Sequence, residues 1–278
     1  MTQTNQTTSS TPPTYHEWGS RQFGRINWLG LWTLYRKELR RFLKIWLQTL
    51  MAPIVNTLLF LTIFSLALGD LRPAIGGVPY NLFLAPGLIM MAMVQNAFTN
   101  TSTALLTAKV QGNVVDFLMP PLSSGELNFG MIMGGLTRGL FVGGGAFCAM
   151  WFFLDVSIHH FWTALFYASI ASILMAQVGL LGGIWAEKFD HLATLGNFVI
   201  TPLAFLSGTF YSVQKLPPLV HTFTQYNPFF YMIDGFRYAL TDHSEGNLAF
   251  GALFLTGLAI LLWGVCHFVL VKGYRLKP

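Results

Sequence analysis

The chain has 278 residues, of which 53% are hydrophobic, 15% aromatic and only 10% charged. Soluble domains carry roughly a quarter charged residues, so sixteen basic and eleven acidic side chains are too few to cover a soluble globule of this size. This composition excludes a soluble enzyme and a disordered chain. It predicts an all-α integral membrane protein.

The first part of the chain divides into a tail and an amphipathic helix. Residues 1–25 begin with a polar, Thr- and Pro-containing stretch that has no apolar core, which predicts a flexible tail without a secretory signal. Residues 27–44 place apolar and aromatic side chains at helical spacing, and basic residues occupy most of the remaining positions. Such a helix lies in the headgroup plane of a membrane. The local cluster of positive charge therefore indicates a membrane surface and not a nucleic acid.

Six segments are long and apolar enough to cross a bilayer, which needs about 20 mostly apolar residues. They span about 45–68, 82–106, 127–154, 161–184, 192–210 and 248–271, and with the amphipathic helix they form one transmembrane domain over 26–278. If both termini share one side, that side receives thirteen of the sixteen Lys and Arg residues. The positive-inside rule then predicts cytoplasmic termini. No strand pattern and no internal repeat is visible.

The usual catalytic and metal-binding patterns are missing from the sequence. The two cysteines, Cys148 and Cys266, lie apart within apolar runs, which predicts neither a disulfide nor a zinc site. His159 and His160 are adjacent, so they cannot face one ion from the same helix face, and a metal site is not expected. The Gly-Lys dipeptide of a phosphate-binding loop is absent, so the chain is not expected to hydrolyse ATP. No catalytic residue is assigned.

Ionisable residues inside a span mark ion-coupled carriers, and the spans offer one candidate. Arg138 lies about eleven residues into the third segment and has no acidic partner within that helix. It is interpreted as a structural or a gate residue. The scarcity of intramembrane carboxylates disfavours a self-contained secondary carrier.

A polar segment between the second and third spans indicates a docking element. Residues 109–125 read KVQGNVVDFLMPPLSSG, in which apolar and polar residues alternate as in a short amphipathic helix. Pro120 and Pro121 end that helix, and Ser124 is expected to cap the next one. The helix could rest on lipid or dock into a groove of a partner, and a plain connecting loop is the simpler alternative.

The stretch from Tyr211 to Asn247 is too apolar for an exposed loop and too interrupted by prolines for a full span. It predicts an outer re-entrant hairpin. Asp234 and Arg237 are three residues apart, so they could pair on one helix face. The hairpin is either a structural cap or an outer gate, and the residues alone do not separate these alternatives.

Four segments resemble the ABC-2-type permeases, the membrane subunits of bacterial ABC exporters, and within them the branch of the YadH and NodJ permeases. The first is the basic helix that runs into IWLQTLMAPIVNTLLFLTIF, and the second is LAPGLIM at 84–90. The third is DFLMPPLSS, followed by Gly134-Gly135 and Thr137-Arg138-Gly139. The fourth, TPLAFLSGTFYSVQKLPPLV with YNPFFYMIDGFRYAL, is the most specific. The likeness extends from about residue 26 to the end.

The resemblance implies six spans, a homodimer and a separate ATPase subunit that carries the ATP and Mg²⁺. It implies that Glu38 of the amphipathic helix contacts the ATPase. It also maps an ATPase-coupling helix onto Gln111, Gly112, Asn113, Val114, Val115, Asp116, Phe117, Leu118 and Met119. It also maps outer re-entrant helices onto Leu216–Leu240. The outer gate residues that it implies are Gly208, Pro217, Pro218, Asn227, Pro228, Tyr231, Asp234 and Arg237.

The function implied by the resemblance is ATP-driven export of an amphiphile, such as a drug, lipid or glycan-like molecule, from the cytoplasm or inner leaflet. The expected location is the bacterial inner membrane, in contact with lipid. Two alternatives stay open: a self-contained secondary carrier or channel, which should show paired buried charges or a repeat, and a membrane-embedded enzyme, which needs clustered His, Asp or Glu.

Overall fold

The computed structural model describes residues 26–68, 74–114 and 121–275, so the predicted flexible tail of residues 1–25 lies outside the described residues. The described chain is almost entirely helical. Its helices are α1 (Trp28–Leu43), α2 (Trp46–Leu68), α3 (Tyr80–Val110), α4 (Ser124–Phe153), α5 (Phe161–Trp185), α6 (Phe189–Leu206), α7 (Pro218–Tyr226), α8 (Pro228–Thr241) and α9 (Leu248–Lys272).

Six of these helices, α2, α3, α4, α5, α6 and α9, are long and apolar enough to cross a membrane, which confirms the predicted all-α polytopic class. The helix of the fifth predicted segment, α6, begins at Phe189 and ends at Leu206 instead of spanning 192–210. It ends there because Ser207 leaves the helix and Gly208 has a left-handed φ of 73°. A π-helical turn, Gly196–Ile200, interrupts α6 in its middle.

Two very short strands precede α3, and the sequence pattern did not predict them. They are β1 (Ala74–Ile75) and β2 (Val78–Pro79), and they pair antiparallel across a turn made by Gly76 and Gly77. Two adjacent glycines suit a two-residue hairpin turn, which needs positive φ angles. A strand of two residues is too short for an alternating pattern to be visible.

The centre of the bundle is α3, which packs against α2, α4, α5 and α8. Its contact with α5 is close because glycines of α5 face its backbone. A Cβ atom on Gly179 would collide with the Phe98 carbonyl oxygen, and one on Gly183 would lie 2.8 Å from the Ser102 carbonyl oxygen. Thr101 Oγ1 donates a hydrogen bond to the Ala176 carbonyl oxygen at 2.7 Å. Small residues permit this approach of two helix backbones.

At one end of the bundle, the α1 end, polar residues cap the starts of α1 and α4 and connect these two helices. Asn27 caps α1 and accepts a hydrogen bond from the Gly30 backbone N–H. The cap of α4 is Ser123 and not the predicted Ser124, because Ser123 forms a reciprocal capping box with Glu126. Glu126 Oε1 also accepts from the Asn27 backbone N–H at 2.6 Å. One carboxylate thus connects the starts of α1 and α4.

The amphipathic character of α1 is present in the structure. Leu34 and Phe42 are buried on the face that packs against α4, whereas Trp28 and Trp32 leave large rings exposed. Arg36 and Arg40 are exposed as well. Exposed indole rings beside basic side chains are typical of a helix in the headgroup region. These side chains agree with an interfacial position of α1, which stays our prediction.

Candidate functional site

An ion pair on the inner face of α1 connects this helix to the centre of the bundle. Glu38 is 1% exposed, and its Oε2 atom lies 2.8 Å from Arg41 Nη2. The same Arg41 nitrogen donates to Asn100 of α3, to the backbone oxygen at 2.5 Å and to Oδ1 at 3.1 Å. A charged side chain of the amphipathic helix therefore forms hydrogen bonds directly with the central span.

The burial of this pair affects the pKa values of both partners. Burial raises the pKa of Glu38 above its ordinary value of 4.5, although the charges of Arg41 and Lys37 oppose the change. Burial likewise lowers the pKa of Arg41, and the charge of Glu38 partly restores it. Glu38 has lost nearly all contact with water and depends on Arg41 as its charge partner, whereas Arg41 is partly exposed and also bonds Asn100.

The burial of Glu38 bears on the ATPase contact that the resemblance implied for this residue. The resemblance implied that Glu38 contacts an ATPase, but its carboxylate is enclosed between α1 and α4. A Cβ atom on Gly134 of α4 would lie 2.8 Å from Glu38 Cβ, so no space remains on that side. In this structure the Glu38 side chain is buried and pairs with Arg41, and its contact with an ATPase stays a prediction.

Arg138 lies deep within α4 and faces α3. Its Nη2 atom donates to Asn96 Oδ1 at 3.1 Å, and Asn96 is one helical turn from Asn100 on α3. Its Nε atom is buried and has no hydrogen-bond partner in the structure. The ion pairs among the described residues do not include Arg138. Two arginines, Arg41 and Arg138, thus contact adjacent turns of the central span.

Arg138 lines a cavity of about 400 Å³ between α2, α3, α4 and α6. Half of the sixteen lining side chains are polar: Gln48, Thr49, Asn56, Thr57, Gln95, Asn96, Arg138 and Thr201. The other half are apolar, among them Phe60, Leu88 and Phe205. The cavity lining therefore combines hydrogen-bonding and apolar side chains.

Sequence reasoning found Arg138 but missed this cavity. The available signal was the set of amide and hydroxyl side chains within α2 and α3, two otherwise apolar spans. Gln48, Ala52 and Asn56 recur every four residues and so share one face of α2, and Gln95 and Asn96 lie on α3. Only the packing of four helices shows that these faces meet.

The predicted coupling segment is described in part. Val110 ends α3, and Gln111–Val114 form a turn in which Gly112 has a φ of 72°. The first residues of the predicted amphipathic helix, 111–114, are therefore not helical, because α3 ends at Val110 and the chain turns there. Lys109 Nζ anchors this end of α3 by donating to the backbone oxygens of Ile184 and Ala186. Val115–Met119 lie outside the described residues.

The other end of the bundle, the α8 end, contains the eight residues that the resemblance implied for an outer gate. Asp234 and Arg237 share α8 but do not form the expected pair. Asp234 accepts from the backbone N–H groups of Glu245 and Gly246, at 2.8 and 3.0 Å. Arg237 is 1% exposed, donates to the Gly208 carbonyl oxygen at 2.5 Å, and places its guanidinium 3.8 Å from the centre of the Phe83 ring. The two side chains bind different loops.

Several of the remaining outer residues end or begin helices. Pro217 and Pro218 start α7, and Pro228 is the first residue of α8, where the absent N–H of proline costs nothing. Asn227 caps α8 and donates through Nδ2 to the Leu203 carbonyl oxygen and to Ser207 Oγ, both at 2.8 Å. The corner between α7 and α8 is thereby fixed to the end of α6.

Tyr231, another of the residues implied for the outer gate, lies on the side of α8 that faces α9. Its ring packs edge-on against Phe250 and Phe254. A Cβ atom on Gly251 would lie 2.8 Å from the Tyr231 ring, so the two helices are in close contact. The structure thus places two short helices where the hairpin was predicted, and their depth in a membrane stays a prediction.

The histidines of the α8 end take part in structural contacts. His159 Nδ1 lies 2.8 Å from the Leu240 carbonyl oxygen. His160 Nε2 lies 2.6 Å from Asp242 Oδ1, and its ring stacks on Tyr238. Among the described residues, no three His, Cys, Asp or Glu side chains are close enough together to hold a metal ion.

A bundle of six apolar helices, four of which border a half-polar cavity, is typical of a polytopic membrane protein. Residues 30–241 match the family model described as ABC-2 type transporter. Because this match covers most of the chain, the protein belongs to the ABC-2 type transporter family.

Individual relatives agree with this assignment. The chain is 34% identical over 254 residues to the inner membrane transport permease YadH of Escherichia coli strain K12, covering 91% of this chain and 98% of the relative. It is 25% identical over 225 residues to nodulation protein J of Rhizobium leguminosarum bv. trifolii, covering 79% and 83%. The resemblance to the YadH and NodJ branch is thus confirmed. The chain is a multi-pass transport permease of the inner membrane.

Proposed function

We propose that this permease is the non-catalytic membrane subunit of an ATP-driven exporter. It acts as a homodimer with a separate ATPase subunit on the cytoplasmic side, and it moves an amphiphile outward from the cytoplasm or inner leaflet. ATP binding draws the two ATPase subunits together, and the segment Gln111–Met119 transmits that movement to the spans.

The observation that carries the proposal is the hydrogen bonding of Arg41 to Asn100. It joins α1, at one end of the bundle, to the turn of α3 that follows the cavity-lining Asn96. A displacement of α1 relative to α4 therefore acts directly on α3. Such a connection suits a permease that is driven by movement of a subunit bound at the α1 end.

The chemistry of the cavity favours an external energy source over ion coupling. Proton- and ion-coupled carriers use carboxylates or histidines inside the membrane. Among the described residues that line the cavity, Arg138 is the single ionisable group. Arginine does not release its proton at physiological pH, so it cannot serve as a proton relay.

The test is co-purification of the tagged chain, expressed from its native locus, followed by an ATPase assay. We expect a stoichiometric ATP-hydrolysing partner that is lost or uncoupled in Phe117→Ala. Phe223→Ala is the matched control, because Phe223 is 77% exposed on α7 at the opposite end of the bundle. A homogeneous oligomer of this chain alone, with no ATPase, would contradict the proposal and favour a self-contained carrier.

A further inference from the structure

We propose that the cavity between α2, α3, α4 and α6 binds the anionic headgroup of an amphiphile, a phosphate or a carboxylate, with Arg138 as its charge partner. That this ligand is the exported cargo rests on the proposed function. The binding itself requires neither ATP nor a partner subunit.

Arg138 has no counter-ion among the described residues. The guanidinium has five N–H donors. Within the described part of the chain its one hydrogen-bond acceptor is Asn96, which is neutral, and its buried Nε atom has no partner there. The carboxylate of Glu38 is paired with Arg41. A partly buried cation without a counter-ion is costly, and an anion that enters the cavity reduces that cost.

Polar, uncharged side chains line the cavity together with Arg138. The cavity presents the carboxamides of Gln48, Asn56 and Gln95, each of which has two N–H donors. No Asp or Glu is among the described residues of this wall. Amide donors around one arginine suit an oxyanion, since a planar guanidinium binds carboxylate and phosphate oxygens in a bidentate manner. A cationic headgroup would find repulsion and no charge partner.

The lining also contains apolar side chains, which points to an amphiphile as the ligand. Phe60, Leu88 and Phe205 lie further along the same helices that carry the polar side chains. The cavity lies between α2 and α6, the two least buried of the spans: 11% of the most apolar stretch of α2 and 17% of α6 are buried. A volume of about 400 Å³ accommodates a headgroup and the start of a chain, but not a whole long-chain lipid. The remaining tail would extend along the exposed apolar face of α2.

The test is calorimetric titration of the purified full-length chain in dodecyl maltoside with three probes. Dodecyl phosphate carries the proposed headgroup, dodecyltrimethylammonium has the same tail with a positive charge, and inorganic phosphate has no tail. We expect dodecyl phosphate to bind the wild-type chain about tenfold more tightly than either other probe. This selectivity is measured without any variant, so a variant that fails to fold does not affect it.

Variants then assign the site. We expect Arg138→Gln to weaken dodecyl phosphate binding about tenfold, the effect of losing one charge-assisted interaction, and Arg138→Lys to retain much of it. Arg40→Gln is the matched control, because Arg40 is exposed on α1 and the substitution removes the same charge. Equal losses in Arg138→Gln and Arg40→Gln would overturn the proposal.

The remaining outcomes are also decisive. Equally tight binding of dodecyltrimethylammonium would overturn the anionic headgroup. Inorganic phosphate binding as tightly as dodecyl phosphate would overturn the amphiphile and identify a site for a free anion. Because neither ATP nor an ATPase is present, failure of this titration is distinguishable from failure to co-purify an ATPase.

Discussion

Arg41 of the amphipathic helix and Asn100 of the central span are held together by two hydrogen bonds, although 59 positions separate them in the chain. Since the same guanidinium also pairs with the buried Glu38, a single side chain stabilises the contact between α1 and α3. This contact is the basis of the first two predictions.

Arg41→Gln removes the charge partner of Glu38. We expect the free energy of unfolding to fall by about 2 kcal/mol, less than for a fully buried pair because Arg41 is 33% exposed. Thermal melting of the detergent-solubilised chain measures the loss. Arg40→Gln, on the exposed face of the same helix, is the control, and an equal change in both variants would contradict the role of Arg41.

Glu38→Gln is predicted to change how stability depends on pH. Burial raises the folded-state pKa of Glu38 above 4.5, so the stability that this group contributes is fully present below pH 4.5 and is lost as pH rises through the folded-state pKa. We therefore expect the variant to gain stability relative to the wild type as pH increases. Melting temperatures between pH 4.5 and 8 test this, with Glu187→Gln as an exposed carboxylate control. A difference that is independent of pH would refute it.

Gly179→Ala introduces a methyl group against the Phe98 carbonyl oxygen. Because both helix backbones must move to accommodate it, we expect a loss of about 1–3 kcal/mol and a lower melting temperature. Gly257→Ala on α9 is the control, since nothing lies within 4 Å of a Cβ atom there. Equal melting temperatures for the two variants would show that α3 and α5 are less closely packed than described.

Asp234→Asn replaces the acceptor of two backbone N–H groups, those of Glu245 and Gly246. The neutral amide has one oxygen, and its NH₂ group would face a second donor, so we expect a loss of about 1.5 kcal/mol. Asp155→Asn is the matched control, because Asp155 is exposed in the connection between α4 and α5. The prediction is wrong if the two substitutions lower the melting temperature equally.

The orientation of the chain is tested with reporters. Thirteen of sixteen basic residues fall on the side of both termini if the six spans alternate. After Pro278, we expect activity from a reporter that works only in the cytoplasm. At the exposed residue Leu219 of α7, we expect activity from a reporter that works only in the periplasm. A periplasmic signal from the C-terminal fusion would reverse the orientation.

The amino-acid sequence by itself determined the class of this protein. Six apolar segments, too few charges for a soluble surface and one basic amphipathic helix are properties of local composition and spacing, and the six-span all-α fold follows from them. The ends of α6 and α3 were less predictable, because Gly208 and Gly112 end or redirect the chain at single residues within apolar or mixed segments.

Only the tertiary structure decided which polar side chains meet. Asp234 and Arg237 are close in sequence yet bind different loops, because the backbone N–H groups near Glu245 and the Gly208 carbonyl oxygen need partners inside the bundle. Glu38 looked like a surface residue among basic neighbours and is buried against Gly134. Arg138 borders a half-polar cavity only because faces of four helices converge, and such long-range convergence leaves no periodic signal in any one segment.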